Sequence, residues 1–135
     1  MSAVKNLVGP AVDRLGDELE ALSRRIHEHP ELGYQEVKAA GWLSDFLERQ
    51  GFKVERGVAD VETAFRATIE TGDGPTIAIL CEYDALPAIG HACGHNVIAT
   101  AGVGAGAALA TLREQLPTGR VQVIGTPAEE GGGAR

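Results

Sequence analysis

Thr76-Ile-Ala-Ile-Leu-Cys81 is almost continuously apolar, with the turn Thr71-Gly-Asp-Gly-Pro75 before it and Glu82-Tyr-Asp84 after it. A short apolar run without alternation is what a central strand covered on both faces requires. Beyond it, the irregular segment 82–94 leads into an Ala- and Gly-rich helix from about Asn96 to Gln115. Pro117 to Gly119 then turns the chain into a second strand, Arg120 to Gly125. On the other side, Thr63 to Glu70 alternates Phe65, Ala67 and Ile69 with Ala64, Arg66, Thr68 and Glu70, the pattern of a half-buried strand. Phe52 to Glu55 is a shorter strand candidate. Two amphipathic helices come first. Val12, Leu15, Leu19, Leu22 and Ile26 mark one from Ala11 to about His29, stopped by Pro30. Val37, Trp42, Leu43, Phe46 and Leu47 mark the other, Gln35 to Gln50, with Gly51 at its C-terminal cap. Helix, helix, strands, helix, strand is the order of an α/β sandwich, here a single domain.

The composition narrows the function classes. The 135 residues are 44% hydrophobic, enough for one modest core. Nineteen acidic residues against 12 basic ones leave a net charge of −7, which repels nucleic acid and anionic membranes. Met1 to Pro10 lacks a basic region followed by an apolar run, so no signal peptide is expected. No apolar stretch approaches the roughly 20 residues that span a bilayer. Cys81 and Cys93 are too few for a disulfide framework, and a reduced, cytoplasmic protein is the expectation. The 18 glycines are interleaved with Val, Ile, Ala and His, which suggests close backbone packing rather than disorder.

Two loops carry the candidate chemistry, one after each of the two best strands. The first holds His91-Ala-Cys93-Gly-His95, in which a thiolate and an imidazole can converge on one metal such as zinc. A buried structural cysteine beside a helix-start histidine is the alternative. The second is Thr126-Pro-Ala-Glu129-Glu130, followed by Gly131-Gly-Gly133. On an extended backbone the neighbouring carboxylates point opposite ways, so one can bind a metal while the other acts as general base. A solvated acidic turn is the bland reading of that pair. Position favours the metal, because ligands of open α/β sheets gather outside the carboxyl ends of strands, where Glu82 and Asp84 also stand. A dinucleotide-binding module is the rival: Gly102-Val-Gly104-Ala-Gly106-Ala107 fits the glycine pattern, with acidic Glu129 downstream, yet no proper strand precedes it. His27 and His29 read as structural residues at a helix end. His91 reads equally as a residue behind the ligands or one facing substrate.

Leu80-Cys-Glu-Tyr-Asp-Ala-Leu-Pro87, Gly90-His-Ala-Cys-Gly-His-Asn96 and Gly125-Thr-Pro-Ala-Glu-Glu-Gly-Gly-Gly133, together with His27-Glu-His-Pro-Glu-Leu-Gly33, resemble consecutive signatures of the M20 metallopeptidases. The similarity is to the branch with aminobenzoyl-glutamate hydrolases and M20-domain dipeptidases. It implies an αβα sandwich of the zinc-exopeptidase (phosphorylase/hydrolase-like) type, with residues 1–135 as the N-terminal half of its catalytic domain. The lid or dimerisation domain, the rest of the catalytic domain and further His ligands would lie elsewhere. By position it implies Cys93, His95 and Glu130 as ligands of two divalent ions, zinc or manganese, and Glu129 as the general base. Asp84 would orient His95. The implied reaction is hydrolysis of an amide bond in an N-acyl amino acid or small dipeptide by metal-activated water, in a protein homodimeric when complete. A non-catalytic remnant of the same fold is the competing outcome. Asn96 stands where many relatives have Asp, and Glu82 where other branches have a His ligand, so the resemblance assigns Glu82 no role. Ala134-Arg135 stands where relatives often have Gly-Lys.

Overall fold

The computed structural model describes residues 2–131. Helices α1 (Ser2–Asp13), α2 (Gly16–Glu28) and α3 (Val37–Arg49) are followed by strands β1 (Lys53–Arg56), β2 (Phe65–Glu70) and β3 (Thr76–Cys81). Helix α4 (His95–Thr111) and strand β4 (Arg120–Gly125) complete the order, with single 3-10 turns at Val58–Asp60 and Arg113–Gln115. The sheet runs β1-β2-β4-β3, antiparallel except for the parallel β3–β4 pair. The chain is thus α/β with a mixed sheet. The described residues form the sheet and one helical layer, two layers of the expected αβα sandwich.

That layer and the inner sheet face make the core. Ile26, Leu43, Phe46, Leu47, Phe65, Val103 and Val123 are fully buried there, each contributing about 1.5–3 kcal/mol relative to exposure. The opposite sheet face carries Lys53, Glu55, Arg66, Glu70, Arg120 and Gln122, which explains the alternation read in β2. Among the described residues no helix is long and apolar enough to cross a membrane.

Two expectations change and a rival reading falls. The helix expected from Ala11 to His29 is two helices, broken at Arg14–Leu15 where the Leu15 N–H donates to the Val12 carbonyl at 2.9 Å. Gly9-Pro10 and Gly16 are poor helix residues, which hid α1 from the pattern. Tertiary packing supplies what propensity lacks: Val8 and Ala11 of α1 lie against Ala108 and Leu112. Second, among the described residues β3 is an edge strand, not a central one. Among the described residues nothing pairs with its outer edge, and Ile77 and Leu80 are 58% and 56% exposed. Apolar continuity cannot tell an interior strand from an uncovered one. The rival dinucleotide reading falls, as the lack of a preceding strand indicated: the Gly102–Ala107 pattern lies within the expected helix, α4, and not at a strand-to-helix turn. Those glycines serve close packing: a Cβ on Gly102 would collide with the Cys81 sulfur.

Candidate metal centre

Parallel pairing of β3 with β4 sets Cys81 opposite Gly125, so both candidate loops leave the sheet at one level. Thr126 fastens them together: its backbone N–H and its hydroxyl donate to the Cys81 carbonyl at 2.8 and 3.0 Å. The first loop returns through Gly94, whose φ of +79° lets the chain enter α4 with His95 as its first residue. The Asn96 amide donates to Ser23 Oγ at 3.0 Å and ties this corner to α2.

His95 is the hub. It is 3% exposed, and its Nδ1–H donates to the Asp84 carbonyl at 2.8 Å, with Asp84 Oδ1 at 3.1 Å. That fixes the tautomer and leaves Nε2 bare. Nε2 faces Glu82 Oε2 at 3.5 Å, Glu129 Oε2 at 3.7 Å and Glu130 Oε1 at 3.8 Å. These separations exceed a hydrogen bond and are those of atoms that would share one cation. Ligand atoms of Glu82, His95 and Glu129 all lie within 4.8 Å of one another. Among the described residues no Lys or Arg pairs with these carboxylates. Three carboxylates, a bare imidazole nitrogen and no compensating cation fit a divalent metal.

Each expected residue can now be placed. His95, Glu129 and Glu130 come together. Exposed Cys93 joins at the side, where the Glu130 carboxylate first, then burial, Glu129 and Asp84, raise its thiol pKa. Glu129 and Glu130 do not point opposite ways as an extended strand predicts. They lie in a turn after Ala128, whose φ is +54°, and both reach His95. Glu82, given no role from the sequence, lies nearer to Nε2 than either. Its place just after β3, at a position where other M20 branches have a His ligand, was the signal for it. Gly132, Gly133, Ala134 and Arg135 lie outside the described residues.

Behind this layer, Asp84 Oδ2 accepts the Glu130 N–H at 3.1 Å, while Oδ1 is buried without a hydrogen-bond partner. Asp84 therefore touches both loops. His91 is buried with both ring nitrogens unpartnered, and burial, then His27 and His95, lower its pKa. His29 donates to the Arg25 carbonyl at 2.8 Å and meets Trp42 edge-on, a structural role. Both cysteines are free. Burial, with Glu82 nearby, pushes the Cys81 thiol up to about 12, so Cys81 is an inert packing residue.

Residues 78–135 match the model of peptidase family M20/M25/M40. Xaa-Arg dipeptidase of Mus musculus is 42% identical over 100% of this chain. The chain belongs to the M20 family. A p-aminobenzoyl-glutamate hydrolase component of Escherichia coli is 32% identical, again over 100% of the chain. A solved M20 structure, the YXEP protein of Bacillus subtilis described as a dinuclear metal-binding peptidase, superposes with a TM-score of 0.78 at 32% identity. It is matched over 87% of this chain and 36% of its own. The M20 chain spans about a third of the length of its curated relatives, 34% of the mouse dipeptidase and 32% of the bacterial hydrolase component.

Proposed function

We propose that this chain supplies one wall of a two-metal centre that hydrolyses an amide bond in N-acyl amino acids or small dipeptides. The observation that carries the reading is His95: its Nδ1 is fixed by Asp84 while its bare Nε2 faces three carboxylates that no Lys or Arg among the described residues pairs with. His95, Cys93 and Glu130 would hold the ions, with Glu82 as an additional ligand. Bound there, a divalent ion supplies Lewis acidity and makes water a nucleophile near neutral pH. Glu129 takes the proton from the attacking water and returns it to the leaving amine. Asp84 keeps the His95 lone pair directed at the centre and steadies the Glu130 backbone.

The roles separate by experiment. Metal content after zinc or manganese loading is expected to fall in His95→Ala and Glu130→Gln and to persist in Glu129→Gln. In the protein that turns over substrate, Glu129→Gln should lower kcat by about 10²-fold or more, the scale of a general base. Early metal loss in Glu129→Gln would make it the ligand and Glu130 the base, an arrangement favoured by the Glu82–His95–Glu129 grouping. Retention of metal in Cys93→Ser plus His95→Ala would defeat the centre altogether.

A further inference from the structure

Glu36 is 0% exposed, and among the described residues no basic side chain pairs with it. It sits at the N-cap of α3, but does not cap that helix with its side chain. Glu31 does that work, accepting the Lys38 and Ala39 N–H groups at 3.0 and 2.9 Å. The Glu36 carboxylate is thus free to reach elsewhere. Its Oε1 accepts the Ala128 N–H at 2.7 Å, across 92 residues of sequence, and its Oε2 accepts the Thr63 hydroxyl at 3.1 Å. Thr63 is itself held, its carbonyl accepting the Tyr83 hydroxyl at 2.6 Å.

Ala128 is the hinge of the second loop. Its φ of +54° is left-handed, a conformation an L-residue keeps only where its surroundings impose it. Gly33 closes the other side: a Cβ there would lie 2.9 Å from the Ala128 Cβ and 3.1 Å from its Cα. Thr126 is fixed to β3 and Glu130 to Asp84, so Ala128 is where the chain between them must turn.

We infer that Glu36 is a positioning residue for the candidate centre: its buried carboxylate holds Ala128 in the left-handed turn that brings Glu129 and Glu130 to His95. The inference rests on the metal reading above but concerns a residue outside its ligand set. A carboxylate suits the task because both its oxygens accept, one for each donor. Glutamine retains one acceptor for Ala128, and the Thr63 hydroxyl can reverse to accept from its amide. Leucine fills similar space and accepts nothing.

The test uses the full chain, with Mn2+ alone as the probe and titration calorimetry as the readout. Glu36→Leu is expected to weaken Mn2+ binding about 10- to 100-fold, the usual cost of losing a partner behind the ligands. Glu36→Gln should restore binding close to that of the parent, which a residue merely filling space would not do. If Glu36→Leu melts cooperatively and binds Mn2+ like the parent, while His95→Ala does not bind, the inference falls and the metal reading stands. A parent that takes up no Mn2+ sinks both. Should Glu36→Leu fail to fold, hydrogen exchange in the parent decides. Protection of the Ala128 amide supports the buried bond, and exchange at an open-loop rate overturns it.

Discussion

The two halves of the sheet are built differently. In the half formed by β1, β2 and α3, Phe46 and Phe65 fill the core and charge lines the edge. Arg56 reaches Asp45 and Glu48 at 2.8 and 3.3 Å, and Arg66 pairs with Glu55. That is how an edge strand normally protects itself from further pairing. In the half formed by β3, β4 and α4, small residues let helix and sheet approach closely, and the edge carries Ile77 and Leu80 to solvent. The outward residues of α4 are apolar too, including Val97, Ile98, Ala101 and Ala105. The first half ends as a surface; the second, which bears the candidate centre, ends as an interior.

Helical glycines test the difference most sharply. Gly102 in α4 has the Cys81 sulfur in the place of its missing Cβ and the Leu80 carbonyl oxygen at 3.2 Å. Gly102→Val should therefore destabilise the chain by about 3 kcal/mol, the upper range for overpacking, despite the better helix propensity. Cys81→Ala in the same chain should recover part of that loss, measured by chemical denaturation. If Gly102→Val alone leaves the midpoint unchanged, α4 is not held as closely as described.

The edges give the next largest effect. Residues 1–135 on their own should self-associate through β3, and Ile77→Lys with Leu80→Lys should shift size-exclusion elution toward the monomer. The charged β1 edge should not matter: Lys53→Ala should elute like the parent. A parent that is already monodisperse and monomeric would break the comparison. In that state the chain is also expected to show no hydrolysis above the metal-only background, since on the proposed reading it supplies one wall of a centre.

The smallest effect is a gain. Gly41 in α3 has nothing within 4 Å of where a Cβ would stand. Gly41→Ala should stabilise by up to about 1 kcal/mol, through helix propensity and a less flexible unfolded chain. A loss at Gly41 would mean that the first half too is packed to contact.

Local pattern by itself determined the strands Thr76–Cys81 and Arg120–Gly125, whose bounds the structure reproduces, and helix α3 with Gly51 at φ +89° behind it. These depend on periodicity and on turn residues, which act over a few positions. That His95, Glu129 and Glu130 are candidate site residues was also legible, because they stand in the loops that follow those strands. Their arrangement was not. The turn at Ala128 brings both glutamates to one imidazole, Glu82 joins them, and Glu36 accepts the Ala128 N–H from 92 residues away. The open edge of β3 was equally hidden, since an apolar strand reads the same whether or not a neighbour covers it. Those features were decided only by the tertiary structure, because hydrogen bonds and packing between distant segments exist only once the chain has closed on itself.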